Sequence, residues 1–92
     1  MPNAPKIPLT FPKDLYGGVY SNHMVVTQTR EEFIMDFLMV SPPSGAVTAR
    51  IIVSPGHIKR IAKTLQENIS EYEKRFGIIQ AAEGLKDDVT IQ

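Results

Sequence analysis

Asp36, His23 and His57 are the residues whose types suit acid–base or metal chemistry. Asp36 is the one charge in an apolar run, FIMDFLMV (33–40). A carboxylate there could serve as a general acid or base if a second group and a cleft faced it. The two histidines lie far from it in sequence, one in a β-like run and one at a helix start. A zinc site asks for cysteine, for histidines at ligand spacing, or for HExxH on one helix face. The chain has no cysteine and no such spacing. We therefore assign no catalytic, metal-binding or cofactor-binding residue, and expect no enzyme in the isolated chain.

A second candidate is SPGH (54–57) with Lys59 beyond it. Backbone N–H groups at a helix start attract anions, but SPGH is far from a P-loop. Capping explains it better. Ser54 is a good N-cap, Pro55 suits the first helical position, and Gly77 is a stop. Between them Ile58, Ala62, Leu65, Ile69, Tyr72 and Phe76 recur at steps of four and three, with Ile61 widening the stripe. That spacing predicts an amphipathic helix of about six turns. Its polar face carries Lys59, Arg60, Lys63, Glu67, Glu71, Glu73, Lys74 and Arg75, with Lys63–Glu67 and Glu71–Arg75 four apart and able to pair weakly, and the early bases before later acids oppose the helix dipole. Asn68 flanks the stripe and is expected to be half-buried, where an amide can fix a partner or a register.

Ahead of the helix, β-branched and apolar runs at 19–29, 33–40 and 46–53 predict three strands. TREE (29–32) and SPPSG (41–45) connect them as an antiparallel meander. A five-residue second loop sets Val40 opposite Ala46. Phe33, Met35, Phe37 and Met39 then face Val53, Ile51, Ala49 and Val47, all apolar. On the other face Ile34 meets Ile52, Leu38 meets Thr48, and Asp36 meets Arg50. The lone acid is thus read as half of a cross-strand charge pair that sets register.

Ninety-two residues with ten basic and ten acidic side chains suggest one domain with no electrostatic footprint for nucleic acid. The absence of cysteine is compatible with a reducing compartment. No run is long enough to span a membrane, and the first residues lack a signal-peptide core. These point to a cytoplasmic protein with no membrane partner. Pro2, Pro5, Pro8 and Pro12 make residues 1–18 an extended arm, expected either to lie over its own domain through Ile7, Leu9 and Phe11 or to be disordered, with docking of a polyproline II segment onto an aromatic groove as the alternative. Residues 19–79 form the domain and 80–92 a tail, in which 89–91 could supply a fourth strand.

Taken in order, VYSN (19–22), EFIMDF (32–37), ARIIVSPGHIKR (49–60) and LQENISEYEKRFG (65–77) resemble the small prokaryotic domain-of-unknown-function family 3467. Ile58 departs from the alanine common after the histidine. The resemblance implies a bacterial or archaeal origin and carries no catalytic residue. A more distant likeness, in topology alone, is to the SecB-like export chaperones, which also follow a small antiparallel sheet with a long helix.

The expected fold is α+β: a three-stranded, or four-stranded, antiparallel meander followed by one long amphipathic helix that covers one sheet face. The other face keeps Ile34, Leu38, Val40 and Ile52, with Asn68 at the helix seam. A domain this small with such a face is expected to be a homodimer or higher oligomer. The functional expectation is a protein-interaction or assembly module. Alternatives are a SecB-like chaperone or adaptor for unfolded polypeptide, and a ligand or enzymatic site formed at a subunit interface from His23, Asp36, His57 or Asn68.

Overall fold

The computed structural model describes residues 4–84. Three strands, β1 (His23–Gln28), β2 (Phe33–Ser41) and β3 (Ser44–Val53), form one antiparallel sheet in the order β1-β2-β3, and α1 (Pro55–Phe76) follows. The α+β meander-plus-helix reading is thus the observed architecture. Residues 89–91, the candidate fourth strand, lie outside the described residues.

The first hairpin closes through Thr29. Its N–H donates to the Glu32 carbonyl at 2.8 Å, and its Oγ1 accepts from the N–H groups of Glu31 (3.3 Å) and Glu32 (3.1 Å). A threonine side chain of this kind stands in for a backbone turn.

The second hairpin departs from expectation. Phe33 to Phe37 pair with Val53 to Ala49 as the alternation predicts, but past Phe37 the register shifts by one. Leu38 opposes Val47 rather than Thr48, Met39 opposes Ala46 rather than Val47, and Val40 opposes Gly45 rather than Ala46. Two causes act together. Pro42 and Pro43 are themselves the whole turn, where neither needs a ladder N–H, so the strands run on to Ser41 and Ser44. The residue this adds on the β3 side is absorbed as a bulge at Thr48. Its Oγ1 donates to the Phe37 carbonyl at 3.1 Å.

The expected helix cover is absent. Among the described residues the extensive interelement contacts are those of β1 with β2 and β2 with β3; α1, which follows Ser54, makes none of comparable extent with either sheet face. Leu65, Ile69, Tyr72 and Phe76 are 58%, 43%, 50% and 68% exposed. Only Ile58 and Ile61 of the stripe, in its first two turns, are half-buried. The radius of gyration is 16.9 Å, against about 12 Å for a compact chain of this length. The reason is local. Ser54 alone joins strand to helix, its Oγ accepting from the His57 N–H at 3.2 Å. With Pro55 fixed at the first helical position, no loop is left to fold the helix back.

Each sheet face consequently has a single buried residue: Met35 on the face of Phe33, Phe37 and Met39, and Leu38 on the face of Ile34, Asp36 and Val40. Both are 7% exposed. Of the two expectations for the arm, packing over its own domain is not observed. Ile7, Leu9 and Phe11 are exposed and anchor nothing on their own domain. The arm's local order is a 3-10 turn at Lys13–Leu15 and a Phe11–Tyr16 ring contact at 5.0 Å.

Candidate interaction surface

Alternation along β2 and β3 places Asp36 and Arg50 opposite each other. Arg50 Nε donates to Asp36 Oδ1 at 2.6 Å and Nη2 to Oδ2 at 3.0 Å, a two-pronged contact. The Asp36 side chain is 14% exposed and that of Arg50 61%. The hydrogen bonds and charge of Arg50 hold the Asp36 carboxyl below its ordinary range, against the opposing effect of desolvation. With its acceptors engaged by Arg50, Asp36 is poorly placed to move a substrate proton.

The stabilising contribution of a carboxyl whose folded pKa is depressed is present above its unfolded pKa. It is lost as pH falls through the folded one. Asp36→Ala and Arg50→Ala should each lower the thermal midpoint at neutral pH, and the double variant should lose less than the sum. The coupling should vanish in acid. Additive losses at neutral pH in a double-mutant cycle would disprove the pairing.

The other chemistry-bearing residues do not converge. His23 pairs with Leu38 across β1 and β2, whereas Val25 is the residue opposite Asp36. His57, in the first turn of α1, has its Nδ1 3.1 Å from Arg60 Nη2. Asn68 is exposed rather than half-buried, and its Nδ2 donates to the Thr64 carbonyl of its own helix at 2.9 Å. Among the described residues no three His, Asp or Glu side chains gather as a metal site. Among them, too, no helix is long and apolar enough to cross a membrane.

Ser21 and Asn22 have a part in the sheet that the sequence reading missed. Asn22 Nδ2 donates to the Val40 carbonyl at 2.9 Å, and Asn22 Oδ1 accepts from the Val40 N–H at 2.8 Å. The side-chain amide thus imitates a further strand residue. Its backbone N–H bonds the Leu38 carbonyl at 2.9 Å, and Ser21 Oγ donates to the same oxygen at 3.0 Å. The available signal was an Ser-Asn pair directly before a β run. Asn22→Ala should raise the exchange rate of the Val40 amide about tenfold, the worth of one or two modest hydrogen bonds. Unchanged protection in hydrogen-exchange NMR would count against this role.

What remains is apolar surface. Of the residues expected at an interface, Leu38 is already covered by its own chain, Ile34 and Val40 are half-buried, and Ile52 is 53% exposed. The bulge adds Val47 to this face, opposite Leu38. The larger surface is the stripe of α1. Tyr72 and Phe76 stack at 5.0 Å near its end. Along its first half an open groove of about 410 Å³ is lined by His57, Arg60, Ile61, Thr64 and Leu65. At the C-terminal end Gly77 adopts φ 99° and donates its N–H to the Glu73 carbonyl. Glu73 Oε2 accepts from the Ile79 N–H at 2.8 Å.

Comparison with curated proteins gives no match, and neither does comparison with solved structures. A family model does match, over residues 2–81, nearly the whole of the described chain. By that match the chain belongs to the family described as "Protein of unknown function (DUF3467)".

Proposed function

We propose that this chain is a non-enzymatic assembly module whose working form is a homo-oligomer, and that its surfaces hold protein partners. The observation that carries the reading is the bare stripe of α1. Leu65, Ile69, Tyr72 and Phe76 lie uncovered on a helix that leaves its own sheet. A single helix of this kind gains little from its own hydrogen bonds and owes its stability in proteins to packing of its apolar face. Contiguous apolar surface of this extent marks an interface. One buried residue on each sheet face is also too small a core for a domain of this length. A second copy supplies the missing cover, and a two-fold dimer is the simplest arrangement. A reducing, cytoplasmic setting fits the lack of cysteine.

The test is light scattering across a micromolar dilution series. The expected result is a mass of two or more chains, with helical content falling as the protein dissociates. A mass of one chain with the helix intact would overturn the reading.

A second reading, a chaperone or adaptor for unfolded polypeptide, draws on the exposed apolar residues of the arm and of its junction with β1: Ile7, Leu9, Phe11, Tyr16, Val19 and Tyr20. It is checked by whether the protein suppresses aggregation of an unfolded client. No arrangement of His23, Asp36 and His57 favours a catalytic reading.

A further inference from the structure

We infer that α1 pairs with α1 of a second copy in antiparallel orientation, about a two-fold axis passing near Glu67. This rests on the homo-oligomer proposed above and specifies its contact. The starting point is the charge order of the helix. From Pro55 to Leu65 the charged residues are Lys59, Arg60 and Lys63, all basic. From Gln66 to Phe76 they include Glu67, Glu71 and Glu73. Within one helix the basic block near the N-terminus is unfavourable, because that end of the dipole repels cations. The basic end Lys74 and Arg75 is the part that suits the dipole, and Lys74 also lies 3.6 Å from Glu71. Arg60 reaches back to His57 of its own helix, but among the described residues neither Lys59 nor Lys63 has an ion-pair partner.

A second helix supplies one. Ile58, Ala62, Leu65, Ile69, Tyr72 and Phe76 alternate steps of four and three, the repeat of a two-helix seam. Run antiparallel about Glu67, Ile58 meets Phe76 of the second copy, Ala62 meets Tyr72, and Leu65 meets Ile69. Small faces large at Ala62, and the Tyr72–Phe76 ring pair comes level with the groove beside Ile61 and Leu65. On the flank, Lys59 comes beside Glu73 of the second copy, and Gln66 comes beside its own equivalent. The basic half of each helix thus lies against the half that carries the acids. A parallel pair would instead set Lys59 about 21 Å along the axis from Glu73 of the second copy and leave it with no acid on the facing flank. Stripe and charge order agree on one arrangement.

Because the chain has no cysteine, single engineered thiols report the geometry directly. Gln66→Cys and Lys59→Cys are each treated with a bismaleimide short enough to bridge neighbouring helices, after light scattering has fixed the mass of each variant. In the antiparallel pair the two copies of position 66 lie side by side. Those of position 59 are separated by about 24 Å along the axis, from the helical rise. The expected result is efficient linkage at 66 and none at 59. Linkage at both positions would show parallel helices and overturn the inference. Linkage at neither, with an oligomeric mass, would also overturn it, because assembly would then use another surface while the homo-oligomer itself stood. A mass of one chain would remove both. As an independent measure, Lys59→Glu should weaken association about tenfold, since the two-fold axis repeats each lost pair. Lys59→Arg should leave association unchanged. The helix dipole alone predicts the opposite sign for Lys59→Glu, a better helix, so unchanged or tighter association would refute the pairing.

Discussion

A chain carrying Leu65→Glu and Ile69→Glu together should run at the mass of one protomer and lose most of its helical far-UV signal. Each aliphatic side chain removed from an interface forfeits about 2 kcal/mol, and a two-fold dimer loses four. Carboxylates in the seam add a desolvation cost. Association should therefore weaken by at least roughly a thousandfold. The helical signal should fall as well because α1 has no cover in its own chain: all of its stripe beyond Ile61 is exposed. A helix without such cover is marginal in water. Sedimentation equilibrium and circular dichroism on the same samples provide the check. An oligomer with full helicity would show that this stripe is not the contact. The same substitutions on a solvent-facing stripe would change little, which gives the experiment its power.

Leu38→Glu should leave no folded protein, and Leu38→Ala should cost about 2–3 kcal/mol, as for other buried leucines. Leu38 is one of two buried hydrophobic residues among the described residues, on the central strand, and its carbonyl accepts from Ser21 and Asn22. A charge there meets its own chain's packing, so the failure comes in folding and not in assembly. Urea unfolding of Leu38→Ala, followed beside its mass by light scattering, should show a lower midpoint with the oligomer retained. A well-folded Leu38→Glu protein would contradict the placement of this residue. Losses of this size matter more here than in a large domain, because so little else is buried.

The parts of the fold written in local residue patterns were legible, and those set by long-range packing were not. Ser54, Pro55 and Gly77 bracket a helix because caps and stops act within a turn of their own position. Strand alternation from Phe33 to Phe37 fixed the register with β3 because Asp36 and Arg50 leave one satisfactory pairing. Past Phe37 alternation alone no longer specifies the register, which shifts by one. Treating SPPSG as loop hid the fact that two prolines can be the entire turn, and a single threonine hydroxyl took up the extra residue. The role of Asn22 was illegible for a related reason, since a side chain that imitates backbone pairing leaves no periodic trace. The largest departure, the helix standing off its sheet, follows from a junction one residue long. A stripe announces that a helix will be covered, but it does not say by which chain.

The bulge at Thr48 has a consequence beyond register. Among the described residues β3 is an outer strand of the sheet, ten residues long and partnered on one side by β2. An outer strand of that length offers its free amides and carbonyls as a template on which other extended chains can grow into fibrils. The irregularity between Ala49 and Val47 breaks that template into two short runs that no straight strand can follow together. The residue that makes room for a two-proline turn thereby also leaves the open side of the sheet a poor seed.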